Sequence, residues 1–297
     1  MKKTLLVLAL LSLSYLGWGQ DFQSDFKTYF QANDTVNQLK VLQQWEAARP
    51  HEAEWYTSCY NYHFMKAKRE SMVMTTTAPQ GEGLVLKDSA DQVAGYLGSE
   101  ISFDRVELNK GLAIIDRGIQ RYPNRLDMRF GKIYALGQIQ DWNSFTAEIL
   151  RTIQYAAINK NKWTWTNDEQ KQDGKTFMLL SIQDYQIQLY NTEDDALLIH
   201  MRAIANEVLK YHPEHIESLS NLSVTYLLTG DYDKGIEALL RAEQLAPKDY
   251  IILANIAHGY SLKGAVNKAI EYYEKVALYG DASAIEFANQ QITRLKN

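Results

Sequence analysis

Residues 216–249 read IESLSNLSVTYLLTGDYDKGIEALLRAEQLAPKD, and residues 250–283 read YIILANIAHGYSLKGAVNKAIEYYEKVALYGDAS. The two segments align without a gap, and proline lies three residues before each of them, at Pro213 and Pro247. Identical or similar residues recur at these pairs of positions: Leu219/Leu253, Asn221/Asn255, Leu222/Ile256, Tyr226/Tyr260, Leu239/Tyr273 and Ala242/Val276. A period of this length predicts repeated helix pairs that stack, because one pair alone leaves its apolar face in water.

The repeated segments resemble the tetratricopeptide repeat (TPR). The resemblance rests on Asn221-Leu222, on Tyr226 four residues after that leucine, on Gly230-Asp231-Tyr232 between the two helices, and on Ala242 and Pro247. It implies an all-α fold, an α-solenoid of TPR-like helix pairs. The clearest repeats are expected at residues 216–249 and 250–283, followed by a capping helix at residues 284–295 that covers the last apolar face.

The N-terminal part of the chain shows the same pattern less clearly. Amphipathic segments predict helices at Asp21–Phe30 and Thr35–Ala48, a helix that runs to about Glu70, and another from Ile101 to Arg121. Phe130-Gly131 and Tyr134 repeat part of the TPR pattern, so residues 125–157 are expected to form a further pair.

Residues 71–100 interrupt the helical pattern. Leu84–Lys87 and Val93–Leu97 are apolar runs on either side of a short polar segment, which predicts a small β-hairpin at residues 84–97. We therefore expect one β-hairpin insertion in a single TPR-like helical domain at residues 20–297.

Residues 1–19 have the pattern of a secretory signal peptide. Lys2 and Lys3 precede the apolar run from Leu5 to Leu16, and Gly17-Trp18-Gly19 supplies small residues for cleavage. We expect an exported protein, with the periplasm as the first choice and secretion as the alternative, and with no integral membrane segment after cleavage. Removal of Lys2 and Lys3 changes the formal net charge from −5 to −7, which disfavours nucleic acid as a partner.

In TPR proteins the first helices of successive pairs form a concave face that usually binds an extended peptide or a partner's helix. The resemblance therefore implies a non-enzymatic protein–protein interaction scaffold whose groove is lined by Asn221, Val224, Leu228, Asn255, His258 and Leu262. The basic residues with which some members hold a C-terminal carboxylate are replaced by Glu217, Ser220, Ile251 and Ala254. The alternative is that Asn221 and Asn255 serve only helix–helix packing.

A polar segment at residues 159–174 contains Trp163 and Trp165. A long loop inside a compact chain is often functional, and two tryptophans can stack on a sugar, so glycan binding is the alternative function. The other interpretation is that both rings hold the loop against the neighbouring helix pair.

No catalytic, cofactor or metal site is predicted. Cys59 is the only cysteine, and we expect it to be a small buried residue rather than a nucleophile paired with His63. His212, Glu214 and His215 are close enough to suggest zinc, but they surround Pro213, where a repeat ends its second helix.

Overall fold

The structure of the protein, a computed structural model, describes residues 20–78 and 83–297. The predicted signal peptide therefore lies outside the described residues. In chain order the elements are α1 (Phe22–Gln31), α2 (Thr35–Ala48), α3 (Ala53–Ala67), β1 (Lys68–Thr75), β2 (Gly83–Lys87), β3 (Val93–Phe103), α4 (Arg105–Arg121), α5 (Leu126–Gln138), α6 (Trp142–Asn159), α7 (Gly174–Tyr190), α8 (Leu198–Tyr211), α9 (Ile216–Leu228), α10 (Tyr232–Leu245), α11 (Tyr250–Leu262), α12 (Val266–Tyr279) and α13 (Ala282–Lys296). None of the described helices is both long enough and apolar enough to cross a membrane.

The helices are packed as pairs, which confirms the predicted α-solenoid. Each odd-numbered helix from α1 to α11 contacts the even-numbered helix that follows it, and α13 packs against α12 at the C-terminal end. In the two clear repeats, the pairs are α9 with α10 and α11 with α12. The small Gly235 permits the close approach of α9 and α10, because a Cβ atom there would lie 2.7 Å from Leu227 Cδ2.

Aspartate begins many of these helices. Its carboxylate accepts hydrogen bonds from backbone N–H groups of the first turn, which have no partner within the helix. The aspartates that do this are Asp21, Asp34, Asp104, Asp141, Asp173, Asp249 and Asp281.

The first helices of successive pairs lie side by side and form one continuous surface, called here the first-helix face. Tyr60 on α3 donates a hydrogen bond to the carbonyl oxygen of Gly131 on α5, with 2.6 Å between the oxygens. The rings of Phe130 on α5 and Tyr185 on α7 pack edge to face at 5.7 Å. Further along, α7, α9 and α11 contact one another in turn.

The insertion is a three-stranded antiparallel sheet with the strand order β1-β3-β2. The predicted hairpin is confirmed as β2 and β3, while β1 was not predicted. The helix expected to reach Glu70 ends at Ala67, and the helix expected to begin at Ile101 begins at Arg105, so both predicted boundaries were wrong.

Local contacts explain why these boundaries lie where they do. The Asp104 N–H donates to the Ala67 carbonyl oxygen at 2.8 Å, which pairs the chain leaving α3 with the chain entering α4. The ring of Phe103 packs on that of Phe64 at 5.4 Å. β3 thus extends back to the core, and it pairs with β1 from Lys68 to Thr75.

Candidate functional site

The predicted groove residues lie on two neighbouring first helices, α9 and α11, and the surface that they form is called here the C-terminal groove. Asn221, Val224 and Leu228 belong to α9, and Asn255, His258 and Leu262 belong to α11. His258, Leu228 and Leu262 are exposed, whereas Asn221, Val224 and Asn255 are half-buried. All six residues therefore lie on two neighbouring first helices, and none of them is fully buried.

The two asparagines differ in how their side chains are used. Asn221 Nδ2 donates to Gln183 Oε1 of α7 at 2.7 Å, so this amide nitrogen links two first helices. The Asn255 side chain has no hydrogen-bond partner among the described residues. Contact between helices therefore accounts for part of what Asn221 does.

Exposed apolar side chains lie at the C-terminal ends of three first helices. Tyr190 on α7, Leu228 on α9 and Leu262 on α11 have 52%, 52% and 42% of their surfaces exposed. Leu228 and Tyr190 also line a hollow of about 230 Å³, which Glu193, Asp194 and Asp195 border. Tyr190 is not among the groove residues predicted from the sequence, because α7 lies outside the two clear repeats.

A second depression, called here the N-terminal cleft, lies between α1, α3, α5 and the loop at residues 160–173. Its volume is about 320 Å³. Its walls combine aromatic rings with polar and charged groups. The aromatic residues are Phe26, Phe30, Tyr60 and Trp165, and the polar and charged residues are Lys27, Glu54, Asn61 and Asp127. Only Trp165 among these was predicted as a site residue.

The floor of the N-terminal cleft is a buried ion cluster. Arg125 has 1% of its surface exposed. Its guanidinium donates to both oxygens of Glu54, at 2.6 and 3.0 Å, and to both oxygens of Asp127, at 2.9 and 2.7 Å. Burial lowers the pKa of Arg125, but the carboxylates of Asp127 and Glu54 outweigh that effect and hold the pKa above its ordinary value.

The same ion cluster holds the loop at residues 160–173, which contains both tryptophans, over the cleft. The backbone N–H of Asn167 donates to Glu54 Oε1 at 2.8 Å, and Thr166 Oγ1 donates to Asp127 Oδ2 at 3.3 Å. Thr164 is bonded through its backbone to Asn124 and Leu126, at 2.9 and 3.0 Å. The loop is therefore built into the wall of the cleft.

The two tryptophans of this loop are in different environments. Trp163 has 1% of its surface exposed, so neither face of its ring is free to stack on a sugar. Trp165 is half-buried, its ring packs edge to face on Phe177 at 5.3 Å, and the Lys171 ammonium lies 5.2 Å from its centre. Trp163 therefore acts as a core residue, and only Trp165 reaches the cleft.

Cys59 and the candidate histidines have structural surroundings. Burial raises the pKa of the Cys59 thiol to about 12, which keeps it protonated. His63 Nδ1 lies 3.0 Å from Glu107 Oε2. His215 Nδ1 accepts from the Ser218 N–H at the start of α9, and His212 immediately follows α8.

The family comparison matches residues 216–249 to a model described as the tetratricopeptide repeat. These are the residues of the first repeat that the sequence analysis delimited. No curated protein matches the chain.

Solved structures of several repeat proteins are similar to this chain. A thermophilic TPR protein of Thermus thermophilus is 16% identical, with a TM-score of 0.36, and the match covers 63% of this chain and 89% of that one. A tetratricopeptide repeat protein of Parabacteroides merdae is 10% identical, with a TM-score of 0.37 and coverages of 93% and 85%. The TPR2AB domain of yeast Sti1, solved in a complex with pHSP90, is 10% identical, with a TM-score of 0.34 and coverages of 93% and 97%.

Residues 216–249 therefore match a tetratricopeptide repeat, and the neighbouring helices are packed as pairs of the same general kind.

Proposed function

We propose that this protein is a non-enzymatic interaction scaffold of the cell envelope that binds an extended peptide or a partner's helix in the C-terminal groove. The observation that carries this proposal is the row of exposed apolar side chains at Tyr190, Leu228 and Leu262. Apolar side chains aligned across three parallel helix ends offer a partner more burial than the same residues scattered singly would.

Polar groups in the same groove suit a ligand that presents the N–H and C=O groups of a peptide backbone. The Asn255 amide can both donate to and accept from a peptide group. The Asn221 amide oxygen accepts no hydrogen bond from the described residues, while its nitrogen is held by Gln183. The groove therefore combines apolar burial with groups that orient a peptide backbone.

The test is affinity selection of random displayed peptides on the purified protein, followed by titration of a selected, labelled peptide. Leu228→Asp should weaken binding at least tenfold, because a carboxylate would replace apolar contact at the centre of the row. Asn255→Ala should cost about 1 kcal/mol, which is roughly fivefold in affinity.

Leu278→Asp is the matched control. Leu278 lies on α12, a second helix, and has 71% of its surface exposed. Equal losses from Leu228→Asp and Leu278→Asp, or no loss from either, would place the binding surface elsewhere.

We also propose export to the periplasm, on the pattern of residues 1–19. Intact-mass measurement on protein recovered from the periplasm of a Gram-negative host should give a chain that begins near Gln20. A mass that includes residues 1–19 would contradict cleavage.

A further inference from the structure

The N-terminal cleft has an excess of negative charge at its floor. Glu54 and Asp127 share one buried cation, Arg125, so the cluster of three retains one formal negative charge. Asp168 adds a carboxylate whose Oδ1 lies 3.6 Å from Arg125 Nη1. An uncompensated charge that is largely removed from water is costly, and a second cation would lower that cost.

Among the described residues, Arg125 is the cation that forms ion pairs with Glu54 and Asp127. Lys27 lines the cleft on α1, but it forms no ion pair within 4.0 Å of a described carboxylate. Lys171 lies over the ring of Trp165 and is 3.6 Å from Glu169, away from the floor. Glu54 and Asp127, with 11% and 9% of their side chains exposed, are thus the buried charged groups that line the cleft, and Lys27 is its exposed one.

The walls suit a cation that carries an apolar stem. Phe30 and Trp165 offer ring surface, and cations bind favourably to aromatic faces. A volume of about 320 Å³ is at the lower end for ligand sites, which matches one long side chain rather than a whole oligosaccharide.

We propose that the N-terminal cleft binds a cationic side chain, Arg or Lys, of a partner peptide. The stem lies against Phe30 and Trp165, and the charged end approaches Glu54 and Asp127. This inference deepens the proposed function, since it names the chemistry of a partner on the same first-helix face.

The test uses capped pentapeptides in which one central residue is flanked by glycines. The central residue is Arg, Lys or citrulline, which has nearly the shape of Arg without its charge. The readout is the indole N–H resonance of Trp165 in ¹⁵N-labelled protein, assigned by comparison with Trp165→Phe.

We expect the Arg and Lys peptides to shift this resonance, and the citrulline peptide to bind about fivefold more weakly, because a full charge near a carboxylate is worth about 1 kcal/mol in a water-like dielectric. Lys27→Glu reverses a charge at the wall without removing a contact. It should tighten binding of the Arg peptide about two- to fourfold at low salt.

Lys40→Glu is the matched control, since Lys40 is an exposed residue of α2 and makes the same charge change outside the cleft. Equal affinity for the Arg and citrulline peptides would overturn the proposal. So would the absence of any shift of Trp165, or a shift with a glycan panel but not with the charged peptides. Leu228→Asp should leave the Arg-peptide shift unchanged, so failure here and failure of the C-terminal groove are distinguishable.

Discussion

The N-terminal and C-terminal parts of the solenoid are stabilised by different interactions. Around α9 to α12 the core is aliphatic and aromatic, with Leu219, Leu239, Leu253, Ile256 and Tyr273 at its centre. Charged contacts in that region, such as Lys275 with Glu243, lie toward the surface. Around α3 to α6, charged side chains are themselves buried.

Buried charge in the N-terminal part occurs in two clusters. One is Arg125 with Glu54 and Asp127. In the other, Glu148, with 3% of its surface exposed, is within 3.4 Å of the basic groups of Arg129, Lys132 and Arg151. Regular repeats can stack on apolar faces alone, whereas the irregular units use specific ion pairs that hold a loop and leave a cleft. In this chain the part without a regular repeat is thus the part in which buried ion pairs line a cleft.

Replacement of Arg125, the cation shared by Glu54 and Asp127, should have the largest effect on stability. Arg125→Met leaves Glu54 and Asp127 buried without a counter-charge, so we expect a loss of about 3–5 kcal/mol in the free energy of unfolding. Urea unfolding followed by circular dichroism measures it.

Two further variants sharpen that prediction. Arg241→Met, at an exposed arginine of α10, should change the free energy of unfolding by less than about 0.5 kcal/mol. Adding Glu54→Gln and Asp127→Asn to Arg125→Met should recover part of the loss, because the uncompensated charges are then removed as well. A loss below about 1 kcal/mol for Arg125→Met would show that the cluster does not stabilise this region.

A truncation in the regular repeats should have the next largest effect. Leu239 on α10 is fully buried, and Leu239→Ala should cost about 3 kcal/mol from lost apolar burial and the cavity left behind. The same unfolding measurement applies, with Leu278→Ala as the exposed control. If Leu239→Ala also abolished the Trp165 response to the Arg peptide, the regular repeats and the N-terminal cleft would be energetically coupled rather than independent.

The smallest effect concerns pH and the contact between α3 and α4. Glu107 bonds to Lys110 at 2.7 Å and to His63 at 3.0 Å, and Lys66 lies 3.4 Å away. These partners, Lys110 first, lower the pKa of Glu107 from 4.5 to about 2. A carboxyl group whose pKa is lower in the folded state stabilises the fold above its unfolded pKa, and this contribution is lost as protons bind.

Stability from Glu107 should therefore be complete above about pH 4.5 and should decline as the pH falls toward about 2. Because Lys66 and Lys110 are exposed, we expect about 1 kcal/mol or less. Thermal unfolding between pH 2 and pH 6 should show a shallower decline for Glu107→Gln than for the parent protein. Parallel curves for the two proteins would contradict the assignment.

Much of the fold could be predicted because its signals are local. The ends of α1 and α2 follow from aspartate caps and apolar periodicity within a few residues. Buried Cys59, Leu222 and Ile256 likewise follow from helical spacing. β1 was missed because its partner is β3, and Lys68 pairs with Phe103 across the whole insertion.

The candidate site was predictable only where the repeat is regular. The six residues of the C-terminal groove came from a family pattern, and they belong to the neighbouring helices α9 and α11. The N-terminal cleft depends on Glu54 and Arg125, which are 71 residues apart in sequence. No local pattern indicates that these two charges meet.

The sequence by itself determined the repeat, because apolar residues at a fixed period can be buried only when helix pairs stack. It also determined where most helices begin, since a cap acts on backbone groups a few residues away. Only the tertiary structure decided that Trp163 is enclosed, that β1 joins the sheet, and that two carboxylates share Arg125. These features depend on contacts between distant segments, and their energies arise only when folding brings the segments together.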